Sequence, residues 1–357
     1  MQKLIAALVA SIIASLTAIP VETAMALTPR QQAGQRVVYS YPGLTPPDAL
    51  LQHIRAGEVA GVIFFKENIA STDQIHTVIQ QLAAANEQSP VKAPLLLMTD
   101  QEGGQVRRLP GAPVLSEKQI GLSANPIGAA EEAGTTAGEN LRGAGMNVNL
   151  APVMDVYRQP GDFLDQFQRS YSQDPAVVAT LGRGFVTAQQ RITNVAATAK
   201  HFPGLGAATA QQNTDLGPVT LNVPLSTLRN VDEKPYTAGA KLIMLSWAIY
   251  PALDGSRPAG LSPVVIKNEL RDRLHYTGVT VSDAIEAGAL QAYGTTGQRS
   301  VLAAQAGVDL VLCSARDVKQ GEDTVTGLVD ALNSGQLDQA TFTTAAQRVT
   351  ALRVNLG

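Results

Sequence analysis

The feature that most limits what this chain can fold into is a repeating alternation. Short, continuously apolar, β-rich runs are each followed by a stretch with helical spacing. The runs are VAGVIFF (59–65), APLLLMTD (93–100), MNVNLAPVMDV (146–156), NVAATAKHF (194–202), AKLIMLSW (240–247), YTGVTVSD (276–283) and GVDLVLCS (307–314). Between them lie segments such as IHTVIQQLAAANEQ and VVIKNELRDRL. Strands without polar alternation are buried on both faces, which implies a parallel sheet covered by helices. Seven or eight such units in roughly 330 residues suit an α/β fold of the (β/α)8 TIM type. The rival is a doubly wound open sheet. It is disfavoured because no G-x-G-x-x-G follows the first strand.

The first 26 residues stand apart. Lys3 opens an apolar run from Leu4, interrupted by Ser11, Ser15, Thr17 and Pro20, that closes on Ala24-Met25-Ala26. A cationic start, an apolar middle and an A-x-A end read as a secretory signal peptide spanning 1–26 and cut after Ala26. The alternative is an uncleaved anchor. The expectation is a secreted protein with no stable membrane insertion after cleavage. No Pro/Gly linker or shift in composition divides 27–357, which reads as a single domain.

Of the 357 residues, 45% are hydrophobic and 16% charged, with a net charge of −3. That composition supports a large core and argues against disorder. It also lacks the basic footprint that nucleic-acid binding requires. The single cysteine, Cys313, has no internal disulfide partner and reads as a small buried apolar group.

Barrels carry their chemistry at the C-terminal ends of strands, and polar residues collect at such positions. TDQEGGQVRRL brings Asp100, Glu102, Arg107 and Arg108, where two glycines imply a tight turn packed against something. Asp155 ends the next run, and FQRSYSQDP after it holds Arg169. Lys200 and His201 end another run, and Asp283 another. Each has a plainer reading. Asp283 suits a helix cap, Asp155 suits a loop brace, and a lone His in a buried run is usually a satisfied core residue. A Lys beside it is harder to dismiss, because an unpaired buried ammonium is costly. No Cys/His cluster or H-E-x-x-H argues for zinc, no Walker loop is present and no Ser sits in G-x-S-x-G. No metal or cofactor is implied. Carboxylates with Arg, Lys and His suit a polyhydroxylated ligand held by paired hydrogen bonds, so the expected partner is a carbohydrate. A further carboxylate at the anomeric carbon can attack it or stabilise positive charge there. Trp247 is the obvious large surface for stacking a sugar.

Taken in order, DQEGGQVRRL, RSYSQDP, KHFPGLG, PAGLSPVVI and GVTVSDAIEAGAL resemble the successive signatures of glycoside hydrolase family 3. The nearest likeness is to the single-barrel bacterial β-N-acetylglucosaminidases. The resemblance implies a retaining mechanism through a covalent glycosyl-enzyme, with Asp283 as nucleophile. It implies that Asp100, Arg108, Arg169, Lys200 and His201 bind the sugar. One family element is unmatched. The branch carries an Asp-Ser-His triplet as general acid/base in the loop after KHFPGHG; here that loop reads KHFPGLGAATAQQNTDLGPV. Gln211, Gln212 and Asn213 fall at the triplet positions and Leu205 replaces another histidine. Amides do not titrate. The nearest ionisable group downstream is Asp215, the candidate substitute acid. The readings left open are a working β-N-acetylhexosaminidase-like hydrolase, a catalytically impaired sugar-binding barrel, and glycosyl transfer to phosphate or another acceptor.

Overall fold

The computed structural model describes residues 27–357; the candidate signal peptide lies outside the described residues. Eight strands form a closed, all-parallel barrel: β1 (Val37–Tyr39), β2 (Gly61–Ile63), β3 (Leu96–Thr99), β4 (Val148–Asn149), β5 (Ala196–Phe202), β6 (Leu242–Leu245), β7 (Val279–Ala284) and β8 (Leu310–Leu312). Each strand pairs with its successor. β8 closes on β1 through Val37 with Val311 and Val38 with Leu312. The expected (β/α)8 architecture is present.

The apolar runs are explained by burial on two sides. Val38, Leu96, Met98, Val148, Val279, Val281, Leu310 and Leu312 belong to one buried cluster inside the barrel, with Val349, Leu352 and Leu356 of the last helix. Their neighbours Val37, Tyr39, Leu97 and Val311 belong to a second cluster between barrel and helices. Alternate side chains thus pack inward and outward, and neither face needs polar residues.

The helices start and stop as local chemistry requires. Ser71, Asn125, Asp174 and Thr295 accept backbone N–H groups at the starts of Thr72–Glu87, Pro126–Ala144, Pro175–Thr193 and Thr296–Ala306. Gly145 and Gly307 end two of them in left-handed conformations. Two connections depart from the pattern. Between β5 and β6 only short turns, Leu225–Thr227, Leu228–Asp232 and Lys234–Thr237, replace a long helix. Between β6 and β7 the segment Val264–Arg273 is wound as a π-helix rather than an α-helix.

Three expectations need correction. VAGVIFF is not the first strand: β1 precedes it, and its three residues, set after Gln35 and Arg36, carry too little pattern to register. Asp155 does not end a strand. β4 stops at Asn149, and the chain runs on irregularly to a single bridge between Val153 and Lys200. Asp283 does not cap a helix. Its Oδ1 accepts the N–H of Ala284 at 2.8 Å, and the chain then turns, with a 3-10 segment beginning only at Gly288.

Candidate active site

Asp100, Arg108, Arg169, Lys200, His201, Asp215 and Asp283 all line one cavity of about 210 Å³ at the C-terminal mouth of the barrel. Phe65, Leu150, Phe163, Leu205 and Met244 form its apolar walls.

Asp100 directly follows β3. Arg108 is presented by the hairpin of Gln101–Gly103 and Val106–Arg107, pinned by Gln101, whose Oε1 accepts the N–H groups of Arg108 and Leu109, each at 3.0 Å. Gly103 has φ +110°, and a Cβ there would lie 2.2 Å from the carbonyl oxygen of Leu115. This is the packed tight turn expected from the glycine pair. Arg107 turns away and donates to the carbonyl of Gly111.

Lys200 and His201 are sequence neighbours that both reach the mouth. In a regular strand they would point to opposite faces. The register of β5 against β6 shifts between Ala199 and Phe202, and such an irregularity re-aims side chains. Lys200 Nζ lies 2.8 Å from both Asp100 Oδ1 and Glu102 Oε1. Arg169 grips Glu102 with two bonds, Nε to Oε2 at 2.9 Å and Nη2 to Oε1 at 2.8 Å. Burial by itself would raise the Glu102 carboxyl, but Arg169 and Lys200 together hold it down at about 2. Burial pulls Lys200 down, and the facing carboxylates of Asp100 and Glu102 outweigh it, so its ammonium stays charged. The buried ammonium is therefore fully partnered, as its cost requires.

His201 Nδ1 lies 2.8 Å from Asp155 Oδ2, where its N–H meets a carboxylate acceptor. Asp155 is fully buried and also receives the N–H of Leu205 at 2.6 Å. It braces the loop, as expected, and orients the histidine as well. Leu205 lines the cavity as part of its apolar wall.

Between β5 and β6, the loop with the unmatched triplet folds over this mouth. Gln212 braces a turn, its Oε1 accepting the N–H of Thr209 at 2.9 Å. Asn213 Oδ1 accepts the N–H of Asp215 at 2.8 Å. The loop is fastened to the turn beyond β7: Gly288 N–H donates to the Asp215 carbonyl at 2.9 Å and Ala289 N–H to that of Thr214 at 3.0 Å. A Cβ on Gly288 would stand 2.5 Å from the carbonyl carbon of Leu216, so the close approach depends on glycine. Asp215 remains open to solvent, yet its carboxyl is crowded. Burial and then the charge of Asp283 push it above the usual aspartate range, more than His201 and Arg169 draw it back.

Trp247 is not a stacking surface. It is 1% exposed, and its indole N–H donates to the Ala284 carbonyl at 2.9 Å, anchoring the end of β7 from behind. Glu102 is the residue that sequence reasoning noticed without assigning a role. Its spacing of two from Asp100 on an extended segment was the available signal. Glu117 carried no signal. It is buried behind Glu102, and its Oε1 accepts the N–H of Val153 at 2.8 Å. Burial, then Glu102, keeps its carboxyl well above the usual range. Cys313 is buried, as expected.

A closed parallel barrel whose mouth gathers a carboxylate-rich, cation-balanced cavity has the chemistry to hold a polyhydroxylated ligand, as carbohydrate-processing barrels do. Within that class the assignment is specific. The profile of the Glycosyl hydrolase family 3 N terminal domain matches residues 28–352, and the chain belongs to this family. It is 46% identical to an "Uncharacterized secreted glycosyl hydrolase" of Arthroderma benhamiae, over 93% of this chain and 95% of that one. Its fold superimposes on a glycoside hydrolase family 3 β-N-acetylglucosaminidase from Paenibacillus sp. str. FPU-7 with a TM-score of 0.86 and 31% identity. That match covers 93% of this chain but only 63% of the other. With β-N-acetylhexosaminidase from Beutenbergia cavernae DSM 12333 the TM-score is 0.83 at 31% identity, covering 92% and 99%. The resemblance seen in the motifs thus extends over nearly the whole chain. No helix among the described residues is long and apolar enough to cross a membrane.

Proposed function

We propose that this protein is a secreted, retaining β-N-acetylhexosaminidase that releases terminal N-acetylglucosamine from glycans, with residues 1–26 removed on export and 27–357 forming its single barrel domain. The observation that carries the reading is the shared cavity of Asp283, at the end of β7, and Asp215, on the loop between β5 and β6. Asp283 is oriented by the N–H of Ala284, while Asp215 is biased toward its protonated form. Two carboxyl groups in contrasting environments are the usual basis for dividing nucleophile from acid.

In the first step an Asp283 carboxylate oxygen attacks the anomeric carbon. The bond to the leaving oxygen breaks, and that oxygen takes the Asp215 proton. In the second step Asp215, now ionised, takes a proton from water as the water oxygen attacks the same carbon and releases Asp283. Asp100, Arg108, Arg169, Lys200 and His201 hold the sugar hydroxyls. The cavity is smaller than the ordinary range for drug-sized ligands, which favours a single sugar ring.

A second reading has its own support. Asn213, which falls by count at one of the unmatched triplet positions, lines the cavity and does not titrate, which favours a sugar-binding barrel with impaired turnover. Hydrolysis of an aryl N-acetylglucosaminide beside an unactivated disaccharide separates the two. Turnover of both supports Asp215 as a working acid. Binding of N-acetylglucosamine with turnover of neither supports the impaired barrel and overturns the hydrolase.

A further inference from the structure

The opposite end of the barrel holds a second cavity, of about 750 Å³, which the glycosidase reading does not use. It opens beside Arg36, just before β1, and Val308, just before β8, and lies between Val264–Arg273, Thr296–Ala306 and the terminal helix. Its chemistry is uneven. Arg36, Arg271 and Arg348 gather around a single carboxylate, that of Asp309. Arg271 Nη2 is 2.7 Å from Asp309 Oδ2, and Arg348 Nη1 bonds Oδ1. Oδ2 also accepts the backbone N–H of Thr280 at 2.9 Å and its hydroxyl at 3.0 Å. Three of these four bonds fall on Oδ2, and Arg36 itself bonds only carbonyls. Its Nε donates to the Asp309 carbonyl at 3.1 Å and its Nη2 to that of Val308 at 2.5 Å.

Arg36 Nη1 has no acceptor among the described residues and keeps some contact with solvent, while the side chain as a whole is 98% withdrawn. A second buried arginine shows the contrast. Arg353 is equally buried, and all three of its nitrogens donate, to Pro94, Gln35 and Ala93. Buried guanidinium groups are ordinarily satisfied in that way. Arg348 adds an Nε and an Nη2 with no acceptor among the described residues. Burial lowers the Arg36 guanidinium to about 10; the charge of Asp309 offsets part of this, and Arg348 opposes it with a smaller effect. At the rim, Lys267 is paired with Asp272, and Asp338 accepts from Thr341 at the start of the last helix. The remaining wall is apolar, with Ile266, Leu337, Phe342 and Ala345, and the Arg36 guanidinium lies 4.2 Å over the Phe342 ring.

We propose that this cavity is a binding site for a small organic oxyanion, a phosphate monoester or its like, whose charged oxygens meet Arg36 Nη1 and Arg348 while its carbon body lies against Ile266, Leu337 and Phe342. Guanidinium groups with free N–H edges favour such oxygens through charge-assisted bonds, and the apolar wall favours an ester over the bare ion.

The test is calorimetric titration of the mature protein with phenyl phosphate, beside inorganic phosphate at matched ionic strength. One site per chain is expected, with phenyl phosphate the tighter ligand. Arg348→Gln keeps Asp309 paired to Arg271 and is expected to weaken binding about tenfold, the loss of one charge-assisted bond. Gln305→Glu, at an exposed rim position, adds a carboxylate without touching the core and is expected to weaken binding by a smaller factor. Aryl-glycoside turnover is expected to stay unchanged in both variants. No saturable heat with phenyl phosphate, or an affinity indifferent to both substitutions, overturns the proposal.

Discussion

Lys200 Nζ and Glu102 Oε1 stand 2.8 Å apart, and both side chains are 2% exposed. This buried ion pair underlies the floor of the candidate active site, with Asp100 and Arg169 completing it. Because breaking a buried pair strands a charge, Lys200→Met is expected to cost about 3 kcal/mol of stability and to remove turnover. Urea unfolding of the purified variant measures the first effect. A loss within a few tenths of a kcal/mol would show that the charges relax into solvent.

Asp283 is held by one backbone N–H and needs no side-chain partner to be positioned. Asp283→Asn is therefore expected to leave the melting temperature near that of the parent while aryl N-acetylglucosaminide hydrolysis falls to background. Activity surviving in that variant would contradict the assignment of the nucleophile.

Asp215 is raised by burial and by Asp283, and the first step needs its proton. Activity on an unactivated disaccharide is therefore expected to be present below its pKa and lost as pH rises through it, at a higher pH than an ordinary aspartate would give. Asp215→Asn is expected to lower that activity by about 10²–10⁴-fold, to abolish the alkaline limb, and to affect a glycoside with a good leaving group less. A pH–rate profile of kcat/KM for parent and variant reads all three.

Glu117 binds its proton more tightly in the folded than in the unfolded chain, since burial and Glu102 raise it. Its contribution is whole below the ordinary glutamate range and is lost as pH climbs from there toward the folded value. Glu117→Gln removes this dependence, so the variant is expected to gain on the parent between pH 5 and pH 8. Denaturant midpoints at the two pH values check the sign, and parallel shifts would show that Glu117 is ionised in the fold.

Gly288 leaves room for the Asp215 loop. Gly288→Ala places a methyl 2.5 Å from the Leu216 carbonyl carbon, which must move. The expected result is a fall in kcat on the disaccharide, with N-acetylglucosamine binding little changed. Equal losses in both would point to general damage at the mouth.

The barrel was legible because burial on both faces writes itself into runs such as LIML and LLM as uninterrupted apolar stretches, and into VTVS as β-branched residues with only small hydroxyls between them. Val37–Tyr39 escaped because three residues after a polar stretch present no period. Asp100, Arg108, Lys200 and His201 were legible through motif spacing, and their convergence in one cavity follows from strand ends sharing one barrel mouth. The partnership of Asp155 with His201 spans 46 residues and leaves no local trace. Glu117 is visible only through burial. Trp247 was misjudged because a large aromatic ring suits a sugar face and a core equally well, and only its 1% exposure decides between them.

The fastening of the Asp215 loop through the main-chain groups of Thr214, Asp215, Gly288 and Ala289 has an evolutionary corollary. A clasp made from peptide units tolerates exchange of the side chains it displays. Under this arrangement a lineage can trade one proton donor for another across the mouth without rebuilding the scaffold beneath. Divergence is then expected to concentrate on what that segment exhibits, while the glycine opposite stays invariant.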